Sequence, residues 1–292
     1  MIFLDNLING LSLGSIYAII ALGYTMVYGI AKMLNFAHGD VIMVGAYIAF
    51  CGLQYWGISP VFAFLLAMVV CTVLGITIEG LAYRPLRQAT SLAVLITAIG
   101  MSYLLQNIAL MIWGANPKSF PTTFINSNSL HLGKINLSSA TLITILVSVA
   151  IMVLLTLFTS KTKLGKAMRC VSEDRGAAEL MGINVNRTIS LTFAIGSALA
   201  AIAGILLCSS YPILQPTTGS MPGIKAFTAA VFGGIGSIPG AMLGGVLLGI
   251  IEIFGKAYIS TELGDAIVFA VLIIVLLFKP AGLLGKPMRE KV

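Results

Sequence analysis

Long apolar stretches without a single charged residue recur along the 292-residue chain. A helix that crosses a bilayer needs about 20 mostly apolar residues, and a charge inside such a helix is costly in lipid. With 58% hydrophobic and 9% charged residues, the chain has too little polar surface to stay dissolved in water. Five stretches meet the requirement, namely 7–30, 60–78, 90–113, 139–159 and 188–211. The sequence therefore predicts an all-α membrane protein.

Two further apolar regions are interrupted by polar residues, glycine or proline. Residues 41–56 are too few to cross a bilayer unaided, and the region after Lys225 is broken by glycines and Pro239. We expect broken or re-entrant segments at 31–56 and 216–240. They belong to a bundle of about eight or nine transmembrane helices that forms a single domain over residues 1–292. Interrupted segments in both halves of a chain indicate a transport pathway.

Glycines recur at four-residue spacing in two of the apolar regions. Gly10 and Gly14 lie in the first, and Gly245 and Gly249 lie in the last third of the chain. Small residues at this spacing let two helix backbones approach closely in lipid. We expect these glycines to be packing surfaces, and they identify no function.

The basic residues are concentrated, which predicts the orientation of the chain. Of the 17 Lys and Arg residues, 12 lie within 84–87, 161–187 and 279–291. Positively charged loops face the cytoplasm, so the net charge of +7 needs no nucleic acid to explain it. We expect a cytoplasmic loop at 160–188, an external loop at 114–138, an external amino terminus and a cytoplasmic carboxyl terminus. The expected location is a membrane that the chain crosses several times.

Motifs for catalysis, metal binding and nucleotide binding are missing from the sequence. There is no GxSxG, HExxH or GxxxxGK[ST], and the only histidines are His38 and His131. The four cysteines lack metal-ligand spacing, so we expect free thiols. We therefore expect no catalytic residue, no metal and no cofactor, and ATP, if it is used, must be hydrolysed by another subunit.

A polar cluster separates two apolar pieces near residue 37. Asn35, Phe36, His38 and Gly39 belong to it, and unwound backbone at membrane depth is tolerated only where it lines a cavity or is buried in protein. These four residues are candidates for a translocation pathway. The alternative is that His38 and Asp40 lie at the membrane interface and merely cap the helix that follows.

Lys225 interrupts an uncharged stretch that runs from residue 188 to residue 251. An intramembrane cation is a functional candidate, so Lys225 joins the pathway residues. The alternative is a structural role at the external interface, where a lysine can extend its amine to water. Further along, Glu252 and Lys256 stand four residues apart and predict a helical ion pair.

The basic loop at 160–188 is longer than a connection between neighbouring helices needs to be. Within it, residues 173–181 predict a short helix that places Ala177, Leu180 and Met181 toward one side, and Gly182 predicts its end. Such a helix suits docking to a partner protein. It could equally lie on anionic lipid headgroups, because lysines and arginines flank it.

Several of these strings resemble the branched-chain amino acid permeases of ATP-binding-cassette importers. The likeness rests on Asn-Phe-Ala-His-Gly at 35–39, on the glycine-rich segment at 229–241 and on Pro-Ala-Gly-Leu at 280–283. The chain is similar to the shorter of the two permeases that such systems pair. The resemblance also implies an ATPase-coupling loop that contains Arg169, Glu173, Asp174, Ala177, Ala178, Met181 and Gly182.

The resemblance implies a subunit of a larger machine. Its expected partners are a second homologous permease, two cytoplasmic ATPase subunits, an external solute-binding protein and membrane lipid. A urea or short-chain amide permease is an alternative within the same family. An ion-coupled secondary transporter, with Glu252 and Asp265 as ion-binding candidates, and a membrane enzyme are alternatives from other classes.

Overall fold

The computed structural model describes residues 2–121, 129–132 and 135–285. Lys134, Lys286, Arg289 and Lys291, which entered the charge argument, lie outside the described residues. The described residues form eleven helices: α1 Ile2–Ala31, α2 His38–Gln54, α3 Pro60–Ile78, α4 Ser91–Trp113, α5 Ser139–Lys161, α6 Lys163–Glu173, α7 Arg175–Leu180, α8 Val185–Ser210, α9 Ser220–Gly233, α10 Ile238–Tyr258 and α11 Gly264–Phe278.

The few strands are short and belong to connections between helices. They are β1 Lys118–Ser119, β2 Ser129–Leu132, β3 Ile135–Ser138 and β4 Ile213–Leu214. The first pairs with the last in antiparallel register, and β2 pairs with β3. The all-α prediction is thus confirmed.

Six helices of the described residues are long and apolar enough to cross a membrane. They include the five predicted stretches, which correspond to α1, α3, α4, α5 and α8, together with α10. The shorter α11 is also apolar. A π-helical turn and a 3-10 turn extend α3 to Leu86.

Burial divides the helices into an inner and an outer group. The apolar windows of α1 and α8 are almost wholly buried, whereas those of α3, α4 and α5 are mostly exposed. Exposed side chains on the outer helices include Phe62, Leu92 and Leu146. An apolar outer surface of this extent is stable in lipid and would aggregate in water. The bundle therefore has an inner pair of helices and a surface suited to hydrocarbon.

The predicted glycine surfaces pack against each other between α1 and α10. A Cβ atom placed on Gly14 would lie 2.6 Å from the backbone oxygen of Val246, and one placed on Gly10 would lie 2.9 Å from the Cα atom of Ile250. No side chain fits in that space, so the two backbones are in direct contact. The packing prediction for these glycines is confirmed.

The two predicted breaks are confirmed, and they meet in space. Helices α2 and α9 contain 17 and 14 residues, which corresponds to about 26 Å and 21 Å at 1.5 Å per residue. Both are shorter than the bilayer core of about 30 Å. A Cβ atom placed on Gly39 would lie 2.7 Å from the backbone oxygen of Gly219, so the first turn of α2 touches the start of α9. The starts of two short helices therefore meet inside the bundle.

The loop at 160–188 differs from the expected single helix at 173–181. Helix α6 ends at Glu173, and α7 begins at Arg175. Asp174 lies between them in an extended conformation, and its Oδ1 accepts a hydrogen bond of 3.1 Å from the backbone of Ala177. An aspartate in this position caps the second helix and ends the first. Gly182 follows with φ 79°, which confirms the predicted stop.

Candidate translocation pathway

His38 lies inside the bundle, where α1, α2 and α9 meet. Its ring is 4.6 Å from that of Tyr24, centroid to centroid, and its Nε2 atom has no hydrogen-bond partner among the described residues. A Cβ atom on Gly23 would lie 2.5 Å from this nitrogen, so the glycine makes room for the imidazole. His38 is therefore a buried residue of the bundle, and its side chain does not cap α2.

Asp40 is buried as well and does not cap α2. Its Oδ1 accepts a hydrogen bond of 2.9 Å from the amide of Gln106 in α4. The same amide lies 3.2 Å from the hydroxyl of Ser220, the first residue of α9. The capping alternative fails because α2 begins two residues before Asp40, and its carboxylate turns to α4. Asp40 and Gln106 link α2, α4 and α9.

Asn35 and Phe36 line the approach to this region. The Asn35 side-chain oxygen accepts a hydrogen bond of 2.9 Å from the hydroxyl of Tyr83, and both side chains are buried. The rings of Phe36 and Phe227 are 5.7 Å apart, as are those of Tyr24 and Phe227. An aromatic wall therefore faces the broken helices.

A narrow pocket, too tight to admit a water molecule in this conformation, lies against this aromatic wall. It has aromatic and aliphatic walls and one side-chain amide, and its lining residues are Tyr24, Tyr28, Met33, Leu34, Asn35, Phe227, Ala230 and Ile235. The structure thus brings together the predicted residues 35, 36, 38 and 39 beside an apolar pocket.

Lys225 lies apart from that pocket, in a cluster of charges. It is buried, and its Nζ atom lies 2.8 Å from Oε1 of Glu252 and 2.5 Å from Oδ1 of Asp265. The buried amine does not extend to water, but its ion pairs give Lys225 a structural role, and its place among the pathway residues stays a prediction. The ion pairs join α9 to both α10 and α11.

Glu252 is the centre of the charge cluster. Its Oε1 atom also lies 2.5 Å from Nζ of Lys256, which confirms the predicted ion pair, and its Oε2 atom accepts a hydrogen bond of 2.8 Å from Tyr17. The cluster contains two lysines, Lys225 and Lys256, and two carboxylates, Glu252 and Asp265. Its net charge is therefore zero. Buried charges are tolerated when they are paired and hydrogen-bonded in this way.

The predicted coupling residues lie at one end of the bundle, which we call the basic end because it carries Arg84, Arg87 and Arg175. Leu180 and Met181 are 91% and 81% exposed, and Ala177 is exposed beside them. Arg169, Glu173 and Asp174 are exposed too, whereas Ala178 is buried and packs the short helix onto the bundle.

Two arginines connect the basic end to the helices. Arg87 forms an ion pair with Glu79 and a hydrogen bond with Asn186, near the start of α8. Arg175 of α7 donates a hydrogen bond to the backbone oxygen of Ala31, the last residue of α1. The loop at 160–188 is thereby attached to α1, directly before the break at Asn35.

Comparison with known proteins agrees with this architecture. The sequence model of the family described as branched-chain amino acid transport system, permease component, matches residues 6–276. The chain belongs to this family. Members are transport permeases, so the chain is a multi-pass membrane permease. This membership confirms the resemblance noted in the sequence.

Two curated members of the permease family match over nearly their whole length. The high-affinity branched-chain amino acid transport system permease protein BraD of Pseudomonas aeruginosa is 47% identical, over 99% of this chain and 98% of its own. The corresponding protein LivH of Escherichia coli is 46% identical with the same coverage. Among solved structures, PsaBC from Streptococcus pneumoniae in complex with Fab aligns with a TM-score of 0.51 at 18% identity, over 96% of this chain and 93% of that one. That likeness concerns the fold alone.

Several residues of this permease were invisible to sequence reasoning. Tyr17, Tyr24 and Tyr83 sit in or beside apolar stretches, where a tyrosine is ordinarily a packing residue. Their hydroxyl or ring partners are 14 to 235 positions away along the chain. The sequence offered one weak signal for them, a hydroxyl group in an otherwise apolar helix, because a buried hydroxyl needs a hydrogen-bond partner.

Proposed function

We propose that the chain is the membrane permease subunit of an ATP-binding-cassette importer for branched-chain, hydrophobic amino acids. The observation that carries this proposal is the identity of 46–47%, over nearly the whole chain, to permeases of high-affinity branched-chain amino acid transport systems. A second homologous permease completes the pore as a heterodimer. An external solute-binding protein delivers the amino acid, and two separate cytoplasmic ATPase subunits supply the energy.

The translocation pathway passes the junction of α2 and α9. Two helix starts meet at Gly39 and Gly219, and the aromatic pocket lies beside them. Helix starts carry partial positive charge, which favours the carboxylate of an amino acid, while the pocket suits its apolar side chain. Asn35, Phe36, His38 and Gly39 are the pathway residues of this proposal. Lys225 acts on the pathway indirectly, because its amine is neutralised by Glu252 and Asp265.

The pathway binds its solute weakly. A solute-binding protein has already selected the amino acid, so a tight site in the pore would only slow its release. The narrow pocket offers apolar contact and one amide, with no charged side chain among its lining residues, and it must widen to admit the solute. This composition supports passage of a hydrophobic amino acid.

The ATPase docks on the exposed side of α6 and α7. Leu180 and Met181 provide an apolar patch that is nearly free of contacts with the bundle, and Arg169 and Glu173 flank it with charge. An exposed apolar patch rimmed by charged residues is typical of a protein interface. Movement of the ATPases reaches α1 through Arg175 and changes the access of the pathway from one side of the membrane to the other.

The orientation follows from the same assignment. The basic end faces the cytoplasm, so the carboxyl terminus is cytoplasmic, and the amino terminus and the loop at 114–138 are external. The chain forms one transmembrane domain over residues 1–292 in the bacterial plasma membrane. Ion-coupled transport is disfavoured, because Glu252 and Asp265 are both engaged by Lys225 and are not open ligands for a coupling ion.

Reconstituted transport tests the function directly. The chain is assembled with its partner permease and ATPases in liposomes, with the binding protein outside and ATP inside, and uptake of radiolabelled leucine is measured. We expect ATP-dependent uptake of leucine, isoleucine and valine, and none of urea. Uptake of urea or an amide without uptake of leucine would show that the proposed substrate is wrong. Uptake that persists without the ATPases would refute the proposal of an ATP-binding-cassette importer.

A variant separates docking from folding in the same assay. We expect Met181→Asp to abolish leucine uptake and to weaken co-purification of the ATPases, because it places a charge in the apolar patch. Glu262→Gln, at an exposed position between α10 and α11 and outside the docking loop, is the control and should transport normally. Full uptake by Met181→Asp would contradict the docking assignment and leave the substrate assignment intact.

A further inference from the structure

An open groove lies at the basic end, between the end of α3 and the start of α8. It encloses about 780 Å³ including its open mouth, and its lining residues are Ile76, Arg84, Asn184, Asn186, Arg187, Ser190, Leu191 and Ala194. None of these residues belongs to the proposed pathway or to the proposed docking patch. The groove is thus a separate feature of the molecule.

The lining of the groove changes from charged to apolar with depth in the bundle. Asn184, Asn186 and Arg187 lie at the beginning of α8, Ser190 follows one turn later, and Leu191 and Ala194 continue toward the centre. On the other wall, Arg84 lies beyond the end of α3, and Ile76 lies within it. This profile matches a phospholipid, which has a charged headgroup above an apolar chain.

The arginines of the groove differ from the other two arginines of the basic end. Arg87 is paired with Glu79, and Arg175 is bonded to Ala31. For the guanidinium groups of Arg84 and Arg187, no partner is recorded among the described residues. Glu79, the buried carboxylate nearby, is already engaged by Arg87 and by Ser190 at 2.6 Å. Two cations at the mouth of the groove are therefore free to bind an anion.

An apolar track on the outside of α3 leads into the groove. Val69, Val73 and Ile76 are 61%, 58% and 44% exposed and fall on one side of the helix, at spacings of four and three residues. The groove is consequently continuous with the surface that faces hydrocarbon. A soluble anion would make no contact with this apolar track, whereas the acyl chain of a lipid would pack along it.

We propose that this groove binds one anionic phospholipid. Its phosphate lies between Arg84 and Arg187, which donate charge-assisted hydrogen bonds, and an acyl chain packs on Ile76 and Leu191. Such a lipid fills the space between α3 and α8 and holds the start of α8, which directly follows the docking loop. The site selects headgroup charge and does not depend on which solute is transported.

Native mass spectrometry of the full-length chain tests the site. The chain is titrated in detergent with phosphatidylglycerol or phosphatidylcholine of the same acyl chains, and the bound fraction is measured. We expect at least one retained phosphatidylglycerol and little phosphatidylcholine. The double variant Arg84→Gln/Arg187→Gln should bind phosphatidylglycerol about tenfold or more weakly, since each basic residue contributes roughly 1 kcal/mol near an anionic headgroup.

Matched variants separate the site from the general charge of the basic end. Lys161→Gln/Lys163→Gln removes two exposed basic residues of the same end outside the groove and should leave phosphatidylglycerol binding unchanged. The variant Arg84→Lys/Arg187→Lys keeps both charges and should retain most of the phosphatidylglycerol binding. Ile76→Ser should weaken it without changing selectivity for the headgroup, because only the acyl contact is altered.

Four outcomes overturn the proposal. Equal retention of both lipids would remove the headgroup selection, and unchanged binding by the double arginine variant would place the lipid elsewhere. Displacement of the lipid by glycerol phosphate at equal concentration would make the groove a simple anion site. Loss of the lipid on assembly with the ATPases would make the groove part of that protein interface.

Discussion

The side chain of Arg175 in α7 is hydrogen-bonded to the backbone oxygen of Ala31, where α1 ends. Burial and the nearby Arg87 lower the pKa of this guanidinium below its usual range, yet arginine remains charged at physiological pH. The carbonyl groups at the end of a helix carry partial negative charge, so a cation stabilises them. The bond connects the loop proposed to meet the ATPase with the segment that opens the pathway.

This relationship predicts uncoupling in the Arg175→Gln variant. We expect leucine uptake to fall about tenfold while the ATPases still assemble and hydrolyse ATP, because a hydrogen bond from a charged group contributes about 1.5–3 kcal/mol. Arg175→Lys should recover part of the uptake, since it keeps the charge. The ratio of leucine transported to ATP hydrolysed is measured. A proportional loss of both activities would indicate a merely structural role.

The charge cluster predicts unequal effects of its two acids on stability. Glu252 is buried, so Glu252→Gln leaves Lys225 and Lys256 facing each other and should cost about 3 kcal/mol or more. The side chain of Asp265 is 44% exposed, so Asp265→Asn should lower the free energy of unfolding by less than about 1 kcal/mol. Apparent melting temperatures, followed by fluorescence size-exclusion chromatography, give the order. Equal destabilisation by the two variants would refute the central position of Glu252.

The contact between α1 and α10 predicts that Gly14 tolerates no side chain. Gly14→Ala places a methyl group 2.6 Å from the backbone oxygen of Val246 and should destabilise the protein by about 1–3 kcal/mol through overpacking. Gly100 of α4 is the matched control, because a Cβ atom there meets no atom within 4 Å. Gly100→Ala should be neutral or slightly stabilising. A thermal shift of the same size in both variants would show that helix propensity, and not packing, is being measured.

The aromatic pocket predicts that a larger side chain at Ala230 blocks transport. Ala230 lines the pocket and is buried, so Ala230→Leu prevents the narrow pocket from widening and should lower leucine uptake by about tenfold. Ala150→Leu adds the same side chain at an exposed position of α5 and should transport normally. Both variants are assayed in the reconstituted system. Normal uptake by Ala230→Leu would place the pathway elsewhere in the bundle.

Much of the architecture could be predicted from local patterns. Uninterrupted apolar stretches indicated α1, α3, α4, α5 and α8, and interruptions marked the breaks before α2 and α9. Glycine spacing indicated packing surfaces, which the structure places between α1 and α10. These inferences succeeded because lipid imposes one requirement on every spanning segment, an apolar exterior with its backbone hydrogen bonds satisfied internally.

Other features were left between two alternatives or were predicted wrongly, each for a local reason. His38 and Asp40 resemble residues at a membrane interface, and Lys225 follows a Pro-Gly pair that resembles a surface turn. The expected helix at 173–181 is split at Asp174, because an aspartate there stabilises a new helix start more than it stabilises a helix interior. The local sequence around His38, Asp40 and Lys225 is compatible with exposure, but the structure buries all three.

The sequence by itself determined three things: that the chain is a membrane protein, at which positions its helices are interrupted, and to which family of permeases it belongs. Only the tertiary structure decided which polar groups meet. Glu252 is 27 residues from Lys225 and 235 from Tyr17, and Arg175 is 144 residues from Ala31. Burying a charge or a hydroxyl in an apolar bundle is costly, so a partner for it stabilises the fold. Which partner it finds depends on the helices that pack beside it, and no local pattern records that.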